Sequence, residues 1–94
     1  MEYFNARKII LSYGWEPLGG PCQGAGIDEE VCRAFPEVGN CSGTGVGFCD
    51  MHFARKDRCL DVVTTGGAPS NDGPGDTSVR DVAFGSAPCS KGVD

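Results

Sequence analysis

Bulky apolar side chains are scarce in this chain: three leucines, three isoleucines, eight valines and five phenylalanines in 94 residues. A domain of that size and composition cannot build a large interior and needs some other support. The longest apolar run is Ile9-Ile10-Leu11, far short of the roughly 20 residues a membrane-crossing helix requires. Basic residues are also few. Eight Lys and Arg stand against thirteen Asp and Glu, for a net charge of −5. The cations are scattered, so there is no basic stripe to neutralise nucleic-acid phosphates, and the charge disfavours anionic membranes. Neither nucleic acid nor membrane is therefore an expected partner. His52 is the single histidine, so any Cys–His couple must use it. No CxxC, HExxH, Walker or nucleophile-elbow pattern occurs. The opening MEYFNARKII carries no signal-peptide core, and the expectation is a mature domain whose leader has been removed.

Cysteine and glycine are abundant. The six cysteines are Cys22, Cys32, Cys41, Cys49, Cys59 and Cys89. Structural zinc sites use close cysteine pairs, because two ligands from one tight turn fix half the tetrahedron. The nearest imitation, Cys49 with His52, falls in a segment that reads as a strand, where side chains three apart point to opposite faces. The reading is no metal and no cofactor. An even set of spread cysteines in a small glycine-rich chain points instead to a disulfide framework. Fifteen pairings are open to six cysteines. Sequence-local closure favours Cys22–Cys32 and Cys41–Cys49, leaving Cys59–Cys89. Chain entropy assigns ~2.7 kcal/mol to each short loop and ~3.7 to the long one, roughly the net stability of a whole domain. Disulfides that matter this much imply an oxidising compartment, periplasmic or extracellular.

Hydrophobic spacing predicts a helix near the N-terminus, with Asn5 as cap, Phe4 stapled onto Ile9, and Ala6, Ile9, Ile10 and Tyr13 on one apolar face. Gly14 would end it, and Trp15 to Leu18 would form a short edge strand held there by Pro17. GGPCQGAG reads as loop. IDEEVCRAF reads as one or two helical turns capped by Asp28, with Val31 and Phe35 inward and Pro36 as the stop. GNCSGTGVG reads as a glycine-rich turn. The clearest signal is a hairpin, VGFCDMHFAR and RCLDVVTT, turning at Lys56-Asp57. With Arg55 opposite Arg58, one face pairs Phe53 with Leu60, Met51 with Val62 and Cys49 with Thr64. The other pairs Ala54 with Cys59, His52 with Asp61, Asp50 with Val63 and Phe48 with Thr65. Residues 66–78 read as a long surface loop, VRDVAFG as a strand with Val82 and Phe84 inward, and 85–94 as a tail. The expected fold is a single α+β domain over 1–94. One N-terminal helix packs on a small, mainly antiparallel, three- to four-stranded sheet, covering Met51, Phe53, Leu60, Val62, Val82 and Phe84, with disulfide support.

Few side chains suggest chemistry. SGTGVG lacks the Lys-Ser/Thr ending of a phosphate loop and leads into a strand, so a turn closed by Cys41–Cys49 is the better reading. Asp28-Glu29-Glu30 are helix-start carboxylates favoured by the dipole. Asn40-Cys41-Ser42 matches a glycosylation sequon. His52 and Asp61 face each other across the hairpin, either as an acid/base pair or as a plain ion pair on a solvated face. Phe48 and Val63 lie beside them. A contiguous apolar patch there would mark an interface, so Phe48, His52, Asp61 and Val63 are the candidate binding residues.

ARKIILSYGWEP, FPEVGNCSGTGVGFCDMHF and LDVVTTGG together resemble small exported bacterial domains of unknown function, with a helix ending in Gly-Trp-x-Pro, a Pro-Glu-x-x-x-Cys-x-Gly-Thr-Gly segment and a hairpin. The likeness spans about residues 3–67, implies export and carries no catalytic residue over. The layout is also similar to one repeat of secreted β-lactamase-inhibitor-like modules. An origin in a mobile gene cassette would suit the chain, but no residue marks it. The expected function is a non-enzymatic exported binding module, of inhibitor or immunity type, for an unidentified protein partner or a second copy of itself. The alternatives are a thiol-redox or metal-binding protein and a small hydrolase using His52 and Asp61. Intact mass separates the thiol reading from the framework: full reduction should add about six hydrogens, two for each bridge, whereas free thiols would leave a smaller difference.

Overall fold

The computed structural model describes residues 1–43, 45–69 and 77–89. Helix α1 spans Tyr3–Ser12, three residues earlier than an Asn5 cap would allow. Glu2 is the cap: its carboxylate accepts from the amides of Phe4 (3.1 Å) and Asn5 (3.2 Å). An anionic cap also suits the positive end of the helix dipole. Gly14, at φ +88°, follows the last turn as expected. The buried side chains of α1 are Tyr3 and Ala6, with Ile10 and Leu11 partly buried. Ile9 and Tyr13, expected inward, are exposed.

A carboxylate explains that rotation. Glu37 is 0% exposed. Its Oε2 accepts from the Tyr3 hydroxyl (2.6 Å) and Arg7 Nε (2.6 Å), and Oε1 accepts from Arg7 Nη2 (3.2 Å). Arg7 Nη2 also donates to the Ala34 carbonyl (3.2 Å), and the guanidinium lies 4.9 Å from the Phe35 ring centroid. A buried charge must be paired and hydrogen-bonded. That requirement turns the Tyr3/Arg7 side of α1 inward and carries Ile9 and Tyr13 outward.

The remaining elements are short. β1 (Glu16–Pro17) pairs with the end of β4, and β2 (Gln23–Gly24) pairs in parallel with β3. The segment expected as pure loop thus contains a strand. It approaches β3 so closely that a Cβ on Gly24 would sit 2.2 Å from the Cys41 carbonyl oxygen. Helix α2 (Glu29–Ala34) begins where expected, with Asp28 Oδ1 accepting from Val31 N at 2.9 Å. β3 (Val38–Cys41) occupies what was expected to be a turn.

The hairpin of β4 (Cys49–Arg55) and β5 (Arg58–Thr65) has the expected register from Cys49↔Thr64 to Arg55↔Arg58. Phe48 lies just before β4, and the expected Phe48–Thr65 pair is not part of the register. β6 (Ser78–Ser86) completes the order β2-β3-β4-β5-β6. Ser78, expected in the loop, and Ser86, expected in the tail, belong to this strand. Of the expected loop 66–78, Pro69 and Thr77 are buried, and Thr77 Oγ1 donates to the Gly67 carbonyl at 3.1 Å. The rest of that loop, 70–76, and of the tail, 90–94, lies outside the described residues. The architecture is α+β: one helix packed on a mixed, mainly antiparallel sheet and supported by three disulfides, Cys22–Cys32, Cys41–Cys49 and Cys59–Cys89.

The core holds Tyr3, Phe35, Val38, Met51, Phe53, Leu60 and Val62 with the Cys41 and Cys49 sulfurs. Val82 and Phe84, expected beneath the helix, are 46% and 64% exposed. Glu37 ties Tyr3 and Arg7 of α1 to the residue before β3, and the helix so placed leaves Val82 and Phe84 of β6 uncovered.

Burial, then the adjacent Glu37 charge and hydrogen bond, pushes the Tyr3 hydroxyl far above the ordinary tyrosine range. Burial alone would lower Arg7, but the Glu37 bond and charge outweigh it, so Arg7 holds its proton more firmly. A folded pKa raised above the unfolded one stabilises fully below the unfolded value and is lost as pH rises through the folded value. Stability should therefore hold below about pH 10 and decline above it. Tyr3→Phe should cost about 1–3 kcal/mol at neutral pH and flatten the alkaline decline in urea titrations. Equal slopes for wild type and variant would contradict this role.

Candidate functional site

Strand alternation divides the hairpin into two faces. Cys49, Met51, Phe53, Leu60, Val62 and Thr64 point to the helix. Asp50, His52, Asp61 and Val63 point to the opposite, open face, with Phe48 at its margin. The expected pairing of His52 with Asp61 is present, Nδ1 to Oδ1 at 2.6 Å. Asp50, two residues before His52 on the same face, places Oδ2 at 3.6 Å from Nε2, too far for a hydrogen bond. His52 Nε2 is buried with no hydrogen-bond partner among the described residues. An ionised Asp61 can only accept, so the short bond fixes the proton on Nδ1.

Beside this pair lies a hollow of ≈ 350 Å³ lined by the apolar side chains of Phe48 and Val63, with Cys41 and Cys49 at its floor and Asn40 and Asp50 at its polar side. The Arg80 guanidinium lies 5.4 Å from the Phe48 ring centroid. Asp50 Oδ1 accepts from the Asn40 amide at 2.5 Å and joins β3 to β4 through a side chain. This is where their register shifts between Val38 and Asn40.

The glycine-rich segment before β4 lies against the two glycines that follow β5. Gly66 N donates to the Val46 carbonyl (2.7 Å) and Gly67 N to the Gly47 carbonyl (3.0 Å). Gly47 has φ +70°, and a Cβ there would lie 2.7 Å from Gly67 N. The glycines thus allow backbone to lie on backbone. Thr44, within the same motif, lies outside the described residues.

Phe48 and Val63 share the hollow, whereas His52 and Asp61 adjoin it without lining it. Asp50 was legible from period-two spacing with His52. Asn40 was not, because β3 was read as a turn. Cys59, expected on this face, is buried and bonded to Cys89. All six cysteines are in disulfides.

Ring-nitrogen NMR at neutral pH should find the His52 proton on Nδ1, and Asp61→Ala should release it to a mixture of tautomers at a stability cost of about 1 kcal/mol. A native Nε2–H tautomer would contradict the arrangement. No family model, curated protein or solved structure matches the chain.

Proposed function

We propose that this chain is a non-enzymatic binding module of an oxidising compartment, periplasmic or extracellular, whose hollow receives an apolar side chain from a protein partner. The carrying observation is the hollow itself. In a chain with so little apolar bulk, Phe48 and Val63 are left on the open face rather than drawn into the core. Asp50 and Asp61, with side chains 29% and 44% exposed, stand close enough to hold a Lys or Arg flanking the apolar group. The net charge of −5 draws a basic partner in the same direction.

The buried His52 Nε2 supports binding over hydrolysis. A general base must come within hydrogen-bond reach of the proton it removes, and this nitrogen is covered. The bridged cysteines support the compartment, because such bonds persist where the medium is oxidising.

Random peptides displayed on phage test the reading. Selection on the oxidised protein should enrich an aromatic or aliphatic residue next to Lys or Arg. Phe48→Asp and Val63→Asp should each reduce capture at least about tenfold, the effect of roughly 1.4 kcal/mol. No enrichment, or capture by both variants equal to that of wild type, would overturn the proposal.

A further inference from the structure

The opposite side of the sheet carries a second unpartnered feature. Between α1 and β6 runs an apolar groove of ≈ 270 Å³ whose walls include Ile9, Tyr13, Trp15, Val82 and Phe84. The Trp15 and Phe84 rings approach to 6.1 Å between centroids. The groove opens along β6, which ends the sheet. The N-terminal residues occupy the beginning of that edge: Tyr3 N donates to the Thr77 carbonyl (2.8 Å), Val79 N donates to the Met1 carbonyl (2.7 Å), and Glu2 bridges Ser78. From Arg80 to Ser86, no strand among the described residues pairs with the outer edge of β6. The Val82 amide is held there by its neighbour's carboxylate, Asp81 Oδ1, at 2.9 Å. Main-chain direction alternates along a strand, so Phe84 and Ser86 present their N–H and C=O groups to the same open side.

We infer that two copies of this chain pair antiparallel through residues 80–86 of β6, about a two-fold axis at Ala83, and close their α1–β6 grooves against each other. The free length sets the register, since seven open residues centre on Ala83. This alignment sets Val82 opposite Phe84 of the second copy and Phe84 opposite its Val82. These positions present main-chain groups outward, so each pair exchanges two N–H···O bonds. Ala83 meets Ala83 in a non-hydrogen-bonded pair, the closer kind of approach, which a methyl side chain fits. Arg80 falls opposite Ser86 and Asp81 opposite Gly85, so no like charges are opposed, a condition cross-strand pairs require. A two-fold interface is self-complementary by construction.

The apolar area is sufficient. Large apolar side chains present on the order of 150–250 Å² each. The exposed fractions of Phe84, Tyr13, Val82, Ile9 and Met1 then amount to roughly 500 Å² per copy, and two copies reach the approximately 1,000 Å² threshold for a specific interface. Covering that surface also removes the liability of a hydrophobic edge strand.

Sedimentation velocity on the oxidised protein tests this. Wild type should pass from 9.8 kDa to twice that mass with a dissociation constant on the order of 10 µM, the weak end of protein interfaces. Phe84→Lys and Val82→Lys, both at exposed positions, should weaken association at least about tenfold while leaving the far-UV spectrum unchanged. Amide exchange on wild type needs no variant. Protection at Val82 and Phe84 should rise with protein concentration, while that at Met51 and Leu60 should not. A monomer at all concentrations up to about 1 mM, or a dimer whose Val82 and Phe84 amides stay unprotected, would overturn the inference. Neither result bears on the Phe48/Val63 hollow, which lies on the other face.

Discussion

Three sulfur–sulfur bonds hold the periphery of this domain in place, two of them on one well-formed hairpin, and the rest of the structure depends on that tying. β4 and β5 supply most of the buried apolar surface. Cys41–Cys49 fastens β3 to β4, Cys59–Cys89 fastens the segment after β6 to β5, and Cys22–Cys32 closes the loop bearing β2 onto α2. Without them, short two- and four-residue strands would have to hold their places by a few hydrogen bonds each. Isolated strands of that size are marginal in water. The bridges shrink the unfolded ensemble, and the Cys41–Cys49 sulfurs also fill part of the core.

A second constraint is polar. Glu37 is fully buried, so Tyr3 and Arg7 must come to it, and α1 takes its rotation from them. An apolar helix face alone would have turned Ile9 and Tyr13 inward over β6. Satisfying one carboxylate instead leaves the α1–β6 groove open and, among the described residues, the outer edge of β6 unpaired from Arg80 to Ser86. The two faces of the sheet consequently differ. One is closed by the helix except along the groove. The other carries the His52–Asp61 pair and the hollow beside it.

What the sequence made legible follows from how local each signal is. The hairpin register was readable because alternating side chains on both strands admit one alignment that gathers Met51, Phe53, Leu60 and Val62 on one face. The disulfide pairing followed from short-range closure. The start of α2 was readable from Asp28. β3 was not, because Val38-Gly39-Asn40 has weak strand preference and forms only when β4 offers a partner. The exposure of Val82 and Phe84 depends on Arg7 meeting Glu37 across 30 residues, a contact no periodicity encodes. Of the candidate site, Phe48, His52, Asp61 and Val63 came from the register, whereas Asn40 came only with β3. The glycines of SGTGVG read as a turn closed by Cys41–Cys49, and that bridge is present; what the sequence did not show was the seating of Val46 and Gly47 against Gly66 and Gly67.

Thermal unfolding before and after reduction tests the dependence on sulfur most directly. A domain of this size shifts its midpoint by about 4–8 °C for each kcal/mol. Even half the roughly 9 kcal/mol that chain entropy assigns to the bridges should lower the midpoint by at least about 15 °C. A reduced, alkylated chain that melts cooperatively at the temperature of the oxidised one would contradict the account.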